Sequence, residues 1–339
     1  MVGLSNGIVG AQLQHRGRPP YENYGRMTAM SSAFLGHTRF SLYDPTSPSW
    51  RLSRKSGRSN RRSYERELYS PSRMNSRMTI FFDHSLPVLE DASRHHKIFH
   101  LVSFSEELPD HYARHLRNAA DRFPWLRLDL RTPKNRRGTS LDSFARETLS
   151  KGDIFAEFRL DDDDLLASTY FDALGEYVAA PFVGSYVSLG LGIQAFFDGS
   201  DFREPRIEHR PKIAIGLARI CRFGIDGELV GPPRAPHTKA DRKAPVIVDS
   251  RSIQFLHTLH LDQDSGVDKP EGDLGNRFRN YLQQPKPNGE LEDHLFPGIQ
   301  FKEWNDSDQL KAVLGAHANF SSIYSLAQKA RQHFRRPIF

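Results

Sequence analysis

The chain has 339 residues, 38% of them hydrophobic, enough to give a core to one large α/β domain or two smaller ones. Its single cysteine, Cys221, excludes an intramolecular disulfide framework and any cysteine-based zinc cluster. The formal net charge of +6 is uneven, because residues 1–77 hold 13 Lys or Arg against 4 Asp or Glu and the remainder is net negative, so basicity belongs to the front of the chain. No apolar stretch approaches the roughly 18–20 residues that span a bilayer, and the first residues lack the basic-then-apolar order of a secretory signal. The expectation is a soluble, cytoplasmic protein.

Residues 1–30 are rich in Gly, Gln, Arg and Pro without periodicity and read as a poorly ordered arm. Phe34 to Leu42 reads as a first strand. The polar, basic stretch 43–72, punctuated by Pro45, Pro48 and Pro71, reads as a long inserted loop. Its densest part carries Arg51, Arg54, Lys55, Arg58, Arg61 and Arg62 with no acid between them. Met74, Met78, Phe81 and Phe82 are spaced for burial on a helix from Arg73, which Pro87 should interrupt or kink.

Lys97 to Ser103 reads as a second strand, Asp110 to Phe123 as a helix, Trp125 to Leu130 as a third strand and Leu141 to Leu149 as a helix. Ile154, Ala156, Phe158 and Leu160 then alternate with Glu157 and Arg159, the period of a strand. Strand followed by helix, repeated, argues for a mostly parallel sheet with helices on both faces. Beyond Val178 the strands expected are Phe182 to Leu189, Ile193 to Phe197, Lys212 to Ala218, Pro245 to Val248 and Ile253 to Leu261. A polar segment follows to Ile299, and a last helix is expected over 307–335.

The acids Asp161, Asp162, Asp163 and Asp164 follow the fourth of these strands, just before Leu166, Tyr170, Ala173, Leu174 and Tyr177 take up helical spacing. Side chains two apart on extended backbone point the same way, so Asp161 and Asp163 can converge while Asp162 turns aside. Two carboxylates facing one point suit a hard cation, Mn or Mg, that shares its other positions with water and substrate phosphates, and a nucleotide diphosphate fits that description. The same acids would also suit the first turn of a helix, where free N–H groups stabilise negative charge. Ligands of parallel sheets sit at the carboxyl ends of strands, where these acids fall.

Four landmarks in order, His37-Thr38-Arg39-Phe40-Ser41, Arg159-Leu160-Asp161-Asp162-Asp163-Asp164, Ile215-Gly216-Leu217-Ala218 and His257-Thr258-Leu259-His260, resemble those of the rhamnosyltransferase family, over roughly residues 34–265. The stretch Tyr69 to Leu89, with Arg73, Arg77 and Leu86-Pro87, resembles the helix after that family's first strand. The resemblance implies a Rossmann-like GT-A fold in a single domain over 31–339. It also implies a glycosyltransferase that moves a sugar from a nucleotide diphosphate-sugar to a hydroxyl of a saccharide or lipid-linked saccharide acceptor. In such a site a divalent cation held by carboxylates neutralises the departing diphosphate.

Carried onto this chain, the resemblance gives Asp161 and Asp163 as metal or donor residues, with Asp164 able to replace either. His260 is a further ligand, against the alternative of a structural histidine. Arg39 and Arg159 can offer bidentate forks to phosphate or carboxylate, with a salt bridge to a neighbouring aspartate the equal alternative for Arg159. An inverting reaction also needs a carboxylate base, for which Asp249, Asp262 and Asp264 are candidates of equal standing. The basic run 51–62 reads by default as a solvated, mobile loop, and could also fold over the donor or touch anionic lipid at the inner face of a membrane. Two other classes of function remain: a nucleic-acid-binding protein using that run, with no nucleic-acid partner expected on the reading above, and a non-catalytic ion- or sugar-binding module built on the acids.

Overall fold

The computed structural model describes residues 32–47, 52–53, 60–260, 280–287 and 294–304. The expected arm 1–30, the helix 307–335, Asp262, Asp264 and most of the basic run lie outside them. In chain order the strands are β1 (Ser32–Arg39), β2 (Lys97–Ser105), β3 (Leu126–Arg131), β4 (Ile154–Arg159), β5 (Leu165–Leu166), β6 (Tyr186–Leu189), β7 (Leu191–Phe197), β8 (Phe202–His209), β9 (Ala218–Phe223), β10 (Leu229–Val230), β11 (Val246–Asp249) and β12 (Phe255–Leu259). The helices are α1 (Arg61–Leu68), α2 (Pro71–Met78), α3 (Leu86–Ser93), α4 (Asp110–Arg122), α5 (Leu141–Thr148) and α6 (Tyr170–Gly175).

The main sheet has the order β11-β6-β9-β4-β1-β2-β3, with β10 paired to β9. β3, β2, β1 and β4 are mutually parallel, β9 alone runs against both β4 and β6, and β11 is parallel to β6. From β1 the chain moves outward through β2 to β3 and then returns to place β4 on the other side of β1, so the strand order reverses between β1 and β4. A smaller sheet has the order β5-β12-β7-β8.

Both faces of the main sheet are covered, which explains the nearly continuous apolar strands. On one face Phe34, Val102, Ala156 and Phe158 pack with Met74, Phe81, Leu89 and Leu116 from the helices. On the other, Ala33, Leu35, Leu101, Phe155 and Cys221 meet Phe144 and Ala145 of α5. The fold is thus the α/β architecture expected, a mostly parallel sheet with helices on both faces.

Several elements differ from expectation. The second half of the 43–72 stretch is helical: Asn60 Oδ1 accepts the Ser63 N–H at 3.0 Å and caps α1, and Tyr64 and Leu68, four apart, carry its buried face. Pro87 does not break the helix. The backbone widens to a π winding over Thr79–Ser85, where the Leu86 N–H reaches back to Phe81 O, and α3 continues with Pro87 in its first turn, where its missing N–H costs little. Leu166 belongs to the short strand β5 rather than to a helix, and α6 begins only at Tyr170. The strand expected over Lys212 to Ala218 starts instead at Ala218, because positive φ at Lys212 (62°) and Gly216 (65°) turns the chain before it. β8 was not anticipated, since its inward residues include Glu204, Arg206 and Glu208, the reverse of the usual polarity.

Candidate functional site

A cleft of about 670 Å³ lies at the carboxyl ends of β1 and β4, where the reversal of strand order leaves a crevice. The pairing of β1 with β4 sets His37 opposite Arg159. Alternation along the strands then brings His37 and Arg39 from β1, and Glu157 and Arg159 from β4, to the cleft. Arg73 and Arg77 enter from α2, and Arg210, Arg219 and Arg234 from the connection before β9, from β9 itself and from the segment after β10.

The acidic turn is held from all sides. Its entry is fixed by the Leu160 N–H donating to His37 O at 3.1 Å and by Thr38 Oγ1 donating to Leu160 O at 2.8 Å. Asp162 accepts from the Ser41 N–H at 2.8 Å and from Ser41 Oγ at 3.0 Å, and its other oxygen meets Arg77 Nε at 3.2 Å. Asp163 Oδ2 lies 2.7 Å from Arg77 Nη2 and 3.1 Å from His260 Nε2. Asp164 accepts the Thr258 N–H at 3.0 Å, and its carbonyl accepts from Ser85 Oγ at 3.1 Å. Asp161 receives both Nε and Nη2 of Arg159, at 2.8 and 2.7 Å.

These surroundings divide the acids. Burial pushes the Asp162 carboxyl up to about 6 despite Arg77. Burial works against the Asp163 charge too, but Arg77 and His260 outweigh it and hold that carboxyl well below the usual range. Asp164 is raised well above it by burial and by the charges of Asp163 and Asp161. Burial also lowers His260, whose buried Nδ1 has no hydrogen-bond partner among the described residues.

Asp161 and Asp163 therefore do not share a partner. Asp162, expected to turn aside, joins Asp163 on Arg77, while Asp161 goes to Arg159. Of the expected ligand set, Asp163 and His260 are in contact. Among the described residues no three His, Cys, Asp or Glu converge as a cation-holding group. A hard cation completed by phosphates and water can make do with one or two protein carboxylates; here Asp163 Oδ2 lies within hydrogen-bond reach of both His260 Nε2 and Arg77 Nη2. Asp249 is elsewhere, held at the end of β11 by Arg251 at 2.7 Å and by Tyr177 OH at 2.9 Å.

The cleft contains further groups that sequence reasoning passed over. Glu157, 7% exposed, joins Arg219 at 2.8 Å and Arg234 at 2.6 Å. His37 Nε2 lies 3.0 Å from Ser103 Oγ, which donates to Asp129 at 2.7 Å. Burial, followed by Arg39, Arg131 and Arg159, lowers His37 to about 4. His257 Nδ1 lies 2.8 Å from Glu208 Oε2. For Arg77 a signal existed, since Arg73 and Arg77 sit four apart, beside Met74 and Met78, on the helical face marked for burial. Cys221, a core residue, takes no part.

No helix among the described residues is long and apolar enough to cross a membrane. No curated protein matches the chain. Several solved structures bear a distant likeness, two of which follow. One is the mannosyltransferase PcManGT from Pyrobaculum calidifontis in complex with GDP-Man and Mn2+, 13% identical over 92% of this chain and 77% of that one, with a TM-score of 0.33. The other is S. aureus TarS 1-349 in complex with UDP-GlcNAc, 9% identical over 90% and 73%, with a TM-score of 0.27. The sequence itself is decisive: over residues 33–272 it matches the family described as "Putative rhamnosyl transferase", and the chain belongs to that family of glycosyltransferases.

Proposed function

We propose that the cleft binds a nucleotide diphosphate-sugar and that the protein transfers the sugar, rhamnose by the family's description, to a hydroxyl of a saccharide or lipid-linked saccharide. The observation that carries this reading is the meeting of the acidic turn with Arg39, Arg73, Arg77 and Arg159 where the strand order reverses. A diphosphate needs several positive groups held in fixed positions, and guanidinium forks supply them with two donors each. Arg159 is already oriented by Asp161, and Arg77 by Asp162 and Asp163, so neither side chain must be ordered when the donor arrives.

Asp163 and His260 would hold a divalent cation, Mn or Mg, which when bound neutralises charge on the departing diphosphate. Asp161 faces the cleft beside Arg159 and serves the donor. Asp164, turned to the backbone of β12, positions the turn.

The test is thermal stabilisation by dTDP, UDP and GDP, each with and without Mn, on the native protein and on Asp163→Asn. A nucleotide-selective rise in Tm that needs Mn and disappears in the variant is expected. No rise with any nucleotide would defeat the donor-site reading, and a rise unchanged without Mn would defeat the cation.

A further inference from the structure

The base that an inverting transfer requires is not among the acids the sequence offered and the structure describes. A different pair meets the requirement. His257, on β12, opens on the same cleft as Asp163 and Asp164, and its backbone neighbour Thr258 donates to Asp164. On its far side, Nδ1 lies 2.8 Å from Glu208 Oε2. Glu208 is 5% exposed, and although burial alone would raise its carboxyl, His257 and Arg210 hold it below the usual range.

A carboxylate and a bare imidazole nitrogen repel at 2.8 Å, so an ionised Glu208 requires the proton on Nδ1. Gln194 Nε2 is placed 3.0 Å from the same nitrogen, so with the proton on Nδ1 the amide is assigned the flipped orientation, its oxygen toward His257. Nε2 is left with a lone pair. Among the described residues it has no hydrogen-bond partner, and it is not a buried orphan, so it is open to the cleft. Glu208 opposes Gly192 across β7 and β8, and His257 opposes Gln194 across β12 and β7, so two strand registers fix the dyad rather than a loop.

We infer that His257 is the general base of the transfer and Glu208 its positioning residue, a role that rests on the donor-site reading above. The acceptor O–H proton passes to His257 Nε2. The acceptor oxygen bonds to the anomeric carbon while the bond from that carbon to the diphosphate oxygen breaks, and its electron pair leaves with the diphosphate. The imidazolium formed is held against Glu208. Attack opposite the leaving group inverts the anomeric centre.

The test uses the full chain with dTDP-rhamnose, UDP-GlcNAc and GDP-mannose as donors and water as acceptor, following diphosphate release and product configuration by NMR. In His257→Gln, turnover should fall about 10²- to 10⁴-fold with the affinity for the nucleotide diphosphate unchanged, and added imidazole should restore part of it in His257→Ala. Glu208→Gln should fall less, and ¹⁵N NMR of the native protein should report the Nδ1–H tautomer of His257. Unimpaired turnover in His257→Gln, an Nε2–H tautomer, retention of configuration, or a native protein that binds the diphosphate yet hydrolyses none of the donors would each overturn the assignment. Failure of the native protein to bind dTDP, UDP or GDP is a separate result, which removes the donor site itself and the base with it.

Discussion

Replacing Gly36 by alanine should be among the most damaging single-methyl changes in this protein. Gly36 lies in β1 between His100 of β2 and Phe158 of β4. A Cβ there would stand 2.0 Å from His100 Nδ1 and 2.6 Å from both His100 Cε1 and Phe158 Cζ. The imidazole cannot swing away freely. Thr38 Oγ1 gives its hydrogen to Leu160 O, so at 2.8 Å it accepts one from His100 Nε2, and ring, hydroxyl and carbonyl form one chain into the acidic turn. Overpacking a buried site costs about 1–3 kcal/mol, and loss of the His100–Thr38 bond adds about 1 kcal/mol. The expected loss is therefore roughly 2–4 kcal/mol, a large share of a typical stability of about 5–15 kcal/mol. Urea denaturation should show a lowered midpoint at unchanged m. His100→Ala in the same background should recover part of the loss, because the two changes act on one contact. A loss below about 1 kcal/mol, or strict additivity of the two substitutions, would refute the clash.

His100 also sets an acid limit. Burial lowers it from 6.5 to about 3, so between those values the unfolded chain takes up a proton that the folded chain refuses, and stability falls as pH drops through the window. His100→Gln should flatten the acid limb of urea midpoint against pH by about one proton; an unchanged slope would count against it. Arg77→Gln should cost about 3–5 kcal/mol in the same assay, since it strips Asp162 and Asp163 of a buried guanidinium, and stability equal to native would contradict those ion pairs. Cys221 is 3% exposed and burial pushes its thiol up to about 12, so its reaction with Ellman's reagent should track unfolding and accelerate in urea. Rapid stoichiometric labelling of the native protein would be the opposing result.

The parts of the fold that could be read in the sequence are those where polarity follows geometry. β2, α4, β3 and β4 fall within a few residues of their expected bounds, because each buries an apolar face with a clear period. β8 escaped because charged residues face inward, and the strand near Lys212 was misplaced because two positive φ angles are invisible to a hydrophobicity pattern. The acidic turn was legible as a cluster, but its division was not. Whether Asp162 or Asp161 joins Asp163 depends on Arg77, more than eighty positions earlier. Glu157 reads as the solvent side of an alternating strand, yet Arg219 and Arg234, 62 and 77 residues on, cover it. Such partnerships are properties of register and crossover, which composition does not record.

The one reversed strand of the main sheet changes which part of the chain can build the site. In an all-parallel sheet the working rim belongs to loops that leave strands. Because β9 runs the other way, Ala218 at its beginning lies opposite Phe158 near the end of β4, and the loop that arrives at β9 reaches the rim as well. That loop comes from β8 of the other sheet, is tied down by the Gly216 N–H donating to Arg159 O at 3.0 Å and by Tyr170 OH donating to Gly216 O at 2.7 Å, and brings Arg210, Ile213 and Ile215 to the cleft wall. Its apolar residues Ile213 and Ile215 belong to the main core, and the Lys212 N–H donates to Ser188 Oγ of β6 at 2.8 Å. The reversed strand thus lets one rim draw on both sheets, and because Gly216 holds Arg159 the arriving loop and the acidic turn are mechanically joined.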